Sequence, residues 1–183
     1  MQIIGITGTL GAGKGTIVEY LIQKGFRHFS VRSFIADEIS RRGMQLNRDT
    51  LTLVANDLRK SHSSSYIVDR LYDQALGYGV DSIIESIRTP GEIESLRQKG
   101  SFILFAVDAD PETRYERIRR RKSATDHISF SEFRQNELRE MTSEDPDKQN
   151  LSACIRMADY VFLNNGTTEE LFREVQDVLD KNF

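Results

Sequence analysis

The sequence predicts an α/β fold, a five-stranded parallel sheet with helices on both faces and helical insertions beside the site. Three observations predict it. Five compact β-branched or aromatic runs, each flanked by turn or polar residues, have the signature of strands. Segments with helical apolar spacing separate them, and strands that alternate with helices pair in parallel under helical cover. A glycine-rich stretch follows the first run directly and precedes an amphipathic segment, at the strand end where such sheets bind ligands.

The expected strands are residues 2–7, 27–31, 81–87, 101–108 and 159–163. Between them Ile17, Val18, Leu21 and Ile22 share one helical face, as do Leu51, Val54 and Leu58, and later Leu171, Val175, Val178 and Leu179. Helix starts are marked chemically. Thr89-Pro90-Gly91-Glu92 places a capping threonine before a first-turn proline and a third-position glutamate, with comparable signals at Asp110-Pro111-Glu112 and Thr167-Thr168-Glu169-Glu170. A further helix is expected over residues 129–141. Residues 32–79, without a strand signal, and residues 119–157, rich in charge, are helical insertions long enough to close over a site. No repeat or linker divides residues 1–183, so one domain is expected.

Composition narrows the function. Hydrophobic residues at 38% and charged residues at 29% suit a soluble globular chain, and no apolar run approaches the ~18 residues of a membrane span. The N-terminus enters a strand without a charged leader, so a cytoplasmic location and no membrane partner are expected. One cysteine, Cys154, forms no internal disulfide, and His28, His62 and His127 are too scattered for a metal cluster. A formal net charge of −3 gives no global reason to bind nucleic acid.

The strongest signal is Gly8-Thr9-Leu10-Gly11-Ala12-Gly13-Lys14-Gly15-Thr16. A phosphate chain needs converging backbone N–H donors, and glycine permits both the dihedrals and the close approach. The helix that follows aims the positive end of its dipole at the same anion, and Lys14 supplies a cation for the β- and γ-phosphates. Gly8, Gly11, Ala12, Gly13, Lys14, Gly15 and Thr16 are therefore candidate ATP-binding residues. Gly15 stands where the magnesium-ligating hydroxyl usually follows the lysine, and Thr16 comes one place later.

This Gly-Lys-Gly-Thr variant resembles adenylate kinase and its nucleoside monophosphate kinase relatives. Three further stretches resemble P-loop kinases of the nucleoside monophosphate kinase and dephospho-CoA kinase group, including archaeal dephospho-CoA kinase-like proteins. In residues 84–92 the resemblance implies that Glu85 holds the water shell of Mg²⁺, with Thr16 as the loop hydroxyl, and that Arg88 grips the acceptor phosphate. In residues 110–122 it implies that Arg117 lies near the nucleotide base and Arg121 near the transferring phosphate, with Arg114 extending their face and Arg119, Arg120 and Lys122 beyond. In residues 158–171 it implies that Asn164 and Gly166 lie beside the adenine. Arg134 and Arg139 are expected to reach the site from the lid, with Arg139 the better match to an acceptor contact.

One stretch departs from the pattern. Where relatives place an aspartate and then an arginine after the second strand, this chain has Ser33 and Ala36, with Arg32 as a displaced charge. Arg32 and Ser33 are candidate acceptor contacts, and Arg48, Asn56, Arg59 and Lys60 lie in the same insertion. The expected activity is ATP- and Mg²⁺-dependent phosphoryl transfer to a small nucleotide-like acceptor. Dephospho-CoA kinase is the alternative within that class, and a regulatory nucleotide-binding module or slow ATPase the alternative outside it. A guanine-reading Asn-Lys-x-Asp motif is absent. Catalytic roles are expected for Lys14, Arg88 and Arg121.

Overall fold

The computed structural model describes residues 1–121 and 128–182. Lys122 and His127 lie outside the described residues. The element order is β1 (Ile3–Gly8), α1 (Lys14–Gln23), β2 (Arg27–Ser30), α2 (Val31–Arg41), α3 (Arg48–Ser61), α4 (Tyr66–Tyr78) and β3 (Ser82–Glu85). Then follow α5 (Pro90–Lys99), β4 (Phe102–Asp108), α6 (Pro111–Arg121), α7 (Phe130–Met141), α8 (Leu151–Arg156), β5 (Tyr160–Leu163) and α9 (Thr168–Asn182).

The five strands form one parallel sheet in the order β2-β3-β1-β4-β5. Side chains on successive strand positions point to opposite faces, and the two cores follow that alternation. Ile4 and Ile6 of β1, Ile83 of β3, and Phe105 and Val107 of β4 pack with α1 and α9 on one face. Ile3, Ile84 and Leu104 pack with residues of α2, α3, α4, α5 and α8 on the other. The sheet is covered on both faces, which is why its central strands read as unbroken apolar runs.

Strand ends differ from expectation for local reasons. The second strand stops at Ser30, because the Ser30 side chain accepts a hydrogen bond from the Ser33 amide and caps α2, making Val31 the first helical residue. The third stops at Glu85, because Ser86 has φ +74°, a left-handed conformation that ends the extended run. The capping boxes at Thr89–Glu92 and Ser129–Glu132 are both formed. Among the described residues no helix is long and apolar enough to cross a membrane.

Candidate active site

The loop from β1 to α1 curls around the first turn of the helix. Gly13 precedes α1 with φ +112°, and a Cβ there would meet Asn164 Nδ2 at 2.3 Å. Gly11 has φ +81°, and a Cβ there would meet the Arg114 carbonyl oxygen at 2.5 Å. Both positions thus exclude a side chain by conformation and by space. Lys14 Nζ donates to the carbonyl oxygens of Gly8 at 2.8 Å and Thr9 at 2.9 Å, which folds the ammonium back over the loop. Burial, with Arg88 nearby, lowers its pKa to about 7 against the pull of Glu85 and Glu140.

Neighbouring elements hold this loop from outside. Asn164, buried after β5, donates from Nδ2 to the Ala12 carbonyl at 2.8 Å, and Thr9 Oγ1 donates to Asp108 at the end of β4. At Gly166 a Cβ would meet only the carboxylate end of the exposed Glu170 side chain, which can swing away. Arg114 shares the helical face of Arg117 and Arg121 but, unlike them, does not line the cavity of the site. It is 3% exposed, donates to the Ala109 carbonyl at 2.6 Å and the Leu10 carbonyl at 3.4 Å, and pairs with Asp108 and Glu137. Placed in the first turn of α6, it meets the end of β4 and the glycine loop before it can reach solvent.

Glu85 and Arg88 flank the loop at the end of β3, which pairs with β1 in the register Ile6↔Glu85. Burial tends to raise the Glu85 pKa. The neighbouring His28, the charge on Lys14 and the Ser86 hydroxyl outweigh it and hold the carboxyl at about 2. Ser86 Oγ donates to Glu85 Oε1 at 2.6 Å, Ser30 Oγ to Oε2 at 3.2 Å, and His28 Nε2 stands 3.8 Å from Oε2. A carboxylate kept ionised in this way fits a hydrated Mg²⁺. Arg88 Nη1 lies 3.0 Å from Glu140 Oε2, and its backbone N–H donates to Glu92 Oε2 at 2.7 Å.

One cavity of about 770 Å³ brings most of these groups together. Gly11, Gly13, Lys14, Gly15, Thr16, Arg117 and Arg121 line it on the side of the glycine loop and α6, and Arg32, Arg48, Arg59, Glu85 and Arg88 line the rest. Arg117 Nη1 also donates to the Ala12 carbonyl at 3.4 Å. Ser33 and Arg139 are not among the lining residues. The Ser33 amide is bound to Ser30, and Arg139 Nη1 turns out to Asp49 at 3.2 Å. Adjacent residues on a helix diverge by about 100°, and it is Glu140 that faces the cavity.

Sequence reasoning missed Glu140, His28, Ser86 and Gln149, which also line the cavity. Nothing in the sequence around Glu140 distinguishes it from the solvated charges beside it. His28 carried a weak signal, since it sits on a strand two residues from the capping serine.

Residues 4–145 match the family described as AAA domain. The chain belongs to the AAA domain family. A UPF0200 protein from Hyperthermus butylicus is 28% identical over 180 residues, covering 98% of this chain and 94% of that relative. Among solved structures, shikimate kinase from Bacteroides thetaiotaomicron superposes with a TM-score of 0.61 at 13% identity, covering 98% of each chain. Deoxyadenosine kinase from M. mycoides, with products bound, superposes with a TM-score of 0.60 at 14% identity, covering 98% of this chain and all of the other. At these identities the likeness is one of fold, and the fold of this AAA domain protein is that of P-loop kinases.

Proposed function

We propose that this protein transfers the γ-phosphoryl group of ATP to a small nucleotide-like acceptor of the nucleoside monophosphate type. The observation that carries this reading is that a single cavity joins the glycine loop, with Lys14, to a second group of cations around Arg88, with Glu85 between them. A mere nucleotide binder needs only the first half. The kinase fold supports ATP-dependent phosphoryl transfer as the reaction class.

In this reading the backbone of Gly8–Thr16 and the N-terminus of α1 hold the triphosphate, and Lys14 leaves its carbonyl partners for the β- and γ-oxygens. Glu85 and Thr16 would hold a hydrated Mg²⁺, which would supply charge neutralisation to the triphosphate. Arg117 and Asn164, both bonded to the Ala12 carbonyl, with Gly166, define the base side. Arg121 stabilises charge on the phosphoryl group in flight, and Arg88, with Arg32, positions the acceptor. In this reading residues 32–79 form the acceptor side, and the described residues 119–121 and 128–157 belong to the lid. Ser33 and Arg139 reach the acceptor only if those segments rearrange on closure.

The test is an ADP-release screen with ATP against nucleoside monophosphates, their deoxy forms and dephospho-CoA. Arg88→Ala is expected to raise the KM of the active acceptor and lower kcat/KM by roughly 30- to 1000-fold, with ATP affinity nearly unchanged. Arg88→Lys should recover part of the loss, since it keeps the charge without the fork. ADP release indifferent to every acceptor would replace this reading with that of a slow ATPase.

A further inference from the structure

Glu140 lies where an anion on the acceptor side would bind. Its Oε2 is 3.0 Å from Arg88 Nη1 and its Oε1 3.4 Å from Arg48 Nη1, and all three side chains are less than one-fifth exposed. The carboxylate comes from α7, whereas Arg48 opens α3 and Arg88 follows β3. Glu140 therefore bridges three parts of the chain that share no other such junction among the described ion pairs.

Buried polar atoms on the same cavity wall that make no hydrogen bond among the described residues include Arg59 Nη1 and Gln149 Oε1. Arg59 is fixed, because its Nε and Nη2 both donate to Glu92 Oε1 and the side chain is 1% exposed. A buried donor left in this state is costly, so its presence on a cavity wall points to a ligand that accepts from it. Gln149 Oε1 asks for the opposite, a hydroxyl or amine donor.

We propose that Glu140 is a resident counter-ion, displaced when a small molecule bearing a phosphate or carboxylate group, with a hydroxyl or amine nearby, takes its place on Arg88 and Arg48. The inference rests on the reading of Arg88 as an acceptor contact. Three physical consequences follow. The internal carboxylate contributes to compensating two partly buried guanidinium groups in the absence of ligand. It sets a threshold, since an incoming anion must outcompete a tethered one. It also couples binding to motion, because the remaining ion pair from α7 to α3 among those described, Arg139–Asp49, is exposed, and exposed pairs hold weakly.

The test measures binding, not turnover. Inorganic phosphate and acetate are titrated calorimetrically into wild type and Glu140→Gln, with the glycine loop saturated by magnesium and β,γ-imido-ATP. Glu140→Gln is expected to bind phosphate at least tenfold more tightly than wild type, and Arg88→Ala in that background to abolish the gain. A larger gain for phosphate than for acetate assigns a phosphate-bearing ligand, and the reverse assigns a carboxylate. Equal or weaker phosphate binding by Glu140→Gln overturns the proposal. Wild-type hydrogen exchange guards against a misfolded variant: phosphate should speed exchange in α7 and leave α9 unchanged, and unaltered α7 exchange also overturns it. If these binding results hold while no acceptor is phosphorylated, the kinase reading fails and the counter-ion stands. Transfer without the binding gain separates them the other way.

Discussion

Glu92 Oε1 accepts hydrogen bonds from Arg59 Nη2 at 2.8 Å and Nε at 3.2 Å, in an ion pair with side-chain exposures of 0% and 1%. The other carboxylate oxygen accepts from the backbone N–H groups of Arg88 and Thr89. One side chain thus closes the capping box of α5, fixes the backbone of Arg88 and anchors a guanidinium from α3.

Glu92→Ala is expected to destabilise the protein by about 3–5 kcal/mol, because it leaves a buried guanidinium uncompensated and uncaps α5. Urea denaturation should show a lower midpoint at unchanged slope. Arg59→Met combined with Glu92→Ala should recover part of the loss. A single-variant loss under about 1 kcal/mol would show that the pair is solvated in solution.

Nucleotide binding is expected to be linked to protonation of Lys14. With its pKa lowered to about 7, the side chain is mostly neutral at pH 8, and a bound triphosphate should return it to the cation. Calorimetry at pH 8 in two buffers of different ionisation enthalpy should read uptake of close to one proton, absent in Lys14→Met. The sign for stability follows from the same depression below the ordinary 10.5. Between pH 7 and 10.5 the folded state binds fewer protons than the unfolded, so the nucleotide-free protein gains stability as pH rises through that window. Lys14→Met should therefore stabilise it most at pH 7 and below, which thermal melts at pH 6.5 and 9 will test.

Arg121→Ala should lower kcat by roughly 10²-fold or more and change ATP affinity only a few fold, since charge develops at the transferred group mainly during transfer. Parallel loss of ATP affinity at unchanged kcat would move Arg121 to ground-state binding.

Gly77 lies inside α4 with nothing within 4 Å of an added Cβ and without a left-handed backbone. Gly77→Ala is expected to stabilise the protein by about 0.5–1 kcal/mol through the unfolded state. Calorimetric melting should rise by roughly 1–4 °C.

The sheet and the position of the glycine loop between β1 and α1 were legible because their signals are local. Each strand is a short apolar run, and the glycines and lysine are contiguous. The acceptor side was less so, because it is built by contacts between distant helices. Thr89–Glu92 announced a capping box, yet nothing there told that Glu92 would also meet Arg59, 33 residues earlier. On α7, Phe133, Glu137 and Glu140 share the inward face, so two of its three inward positions are carboxylates, and apolar periodicity cannot reveal such a face. Leu138, which looks like a core residue, is 68% exposed.

The placing of β1 at the centre of the sheet has a kinetic consequence. Ile3 pairs in register with Ser82 and Phe102, partners that follow it by 79 and 99 residues. At about 5–20 residues per second of synthesis, those partners are made roughly 4–20 s after β1. Throughout that interval β1 and the glycine loop behind it lack both of the strands that flank β1 in the sheet. Parallel pairing at such separations is also slow to close. The glycine loop is thus encoded early, while the strands that flank β1 are completed late.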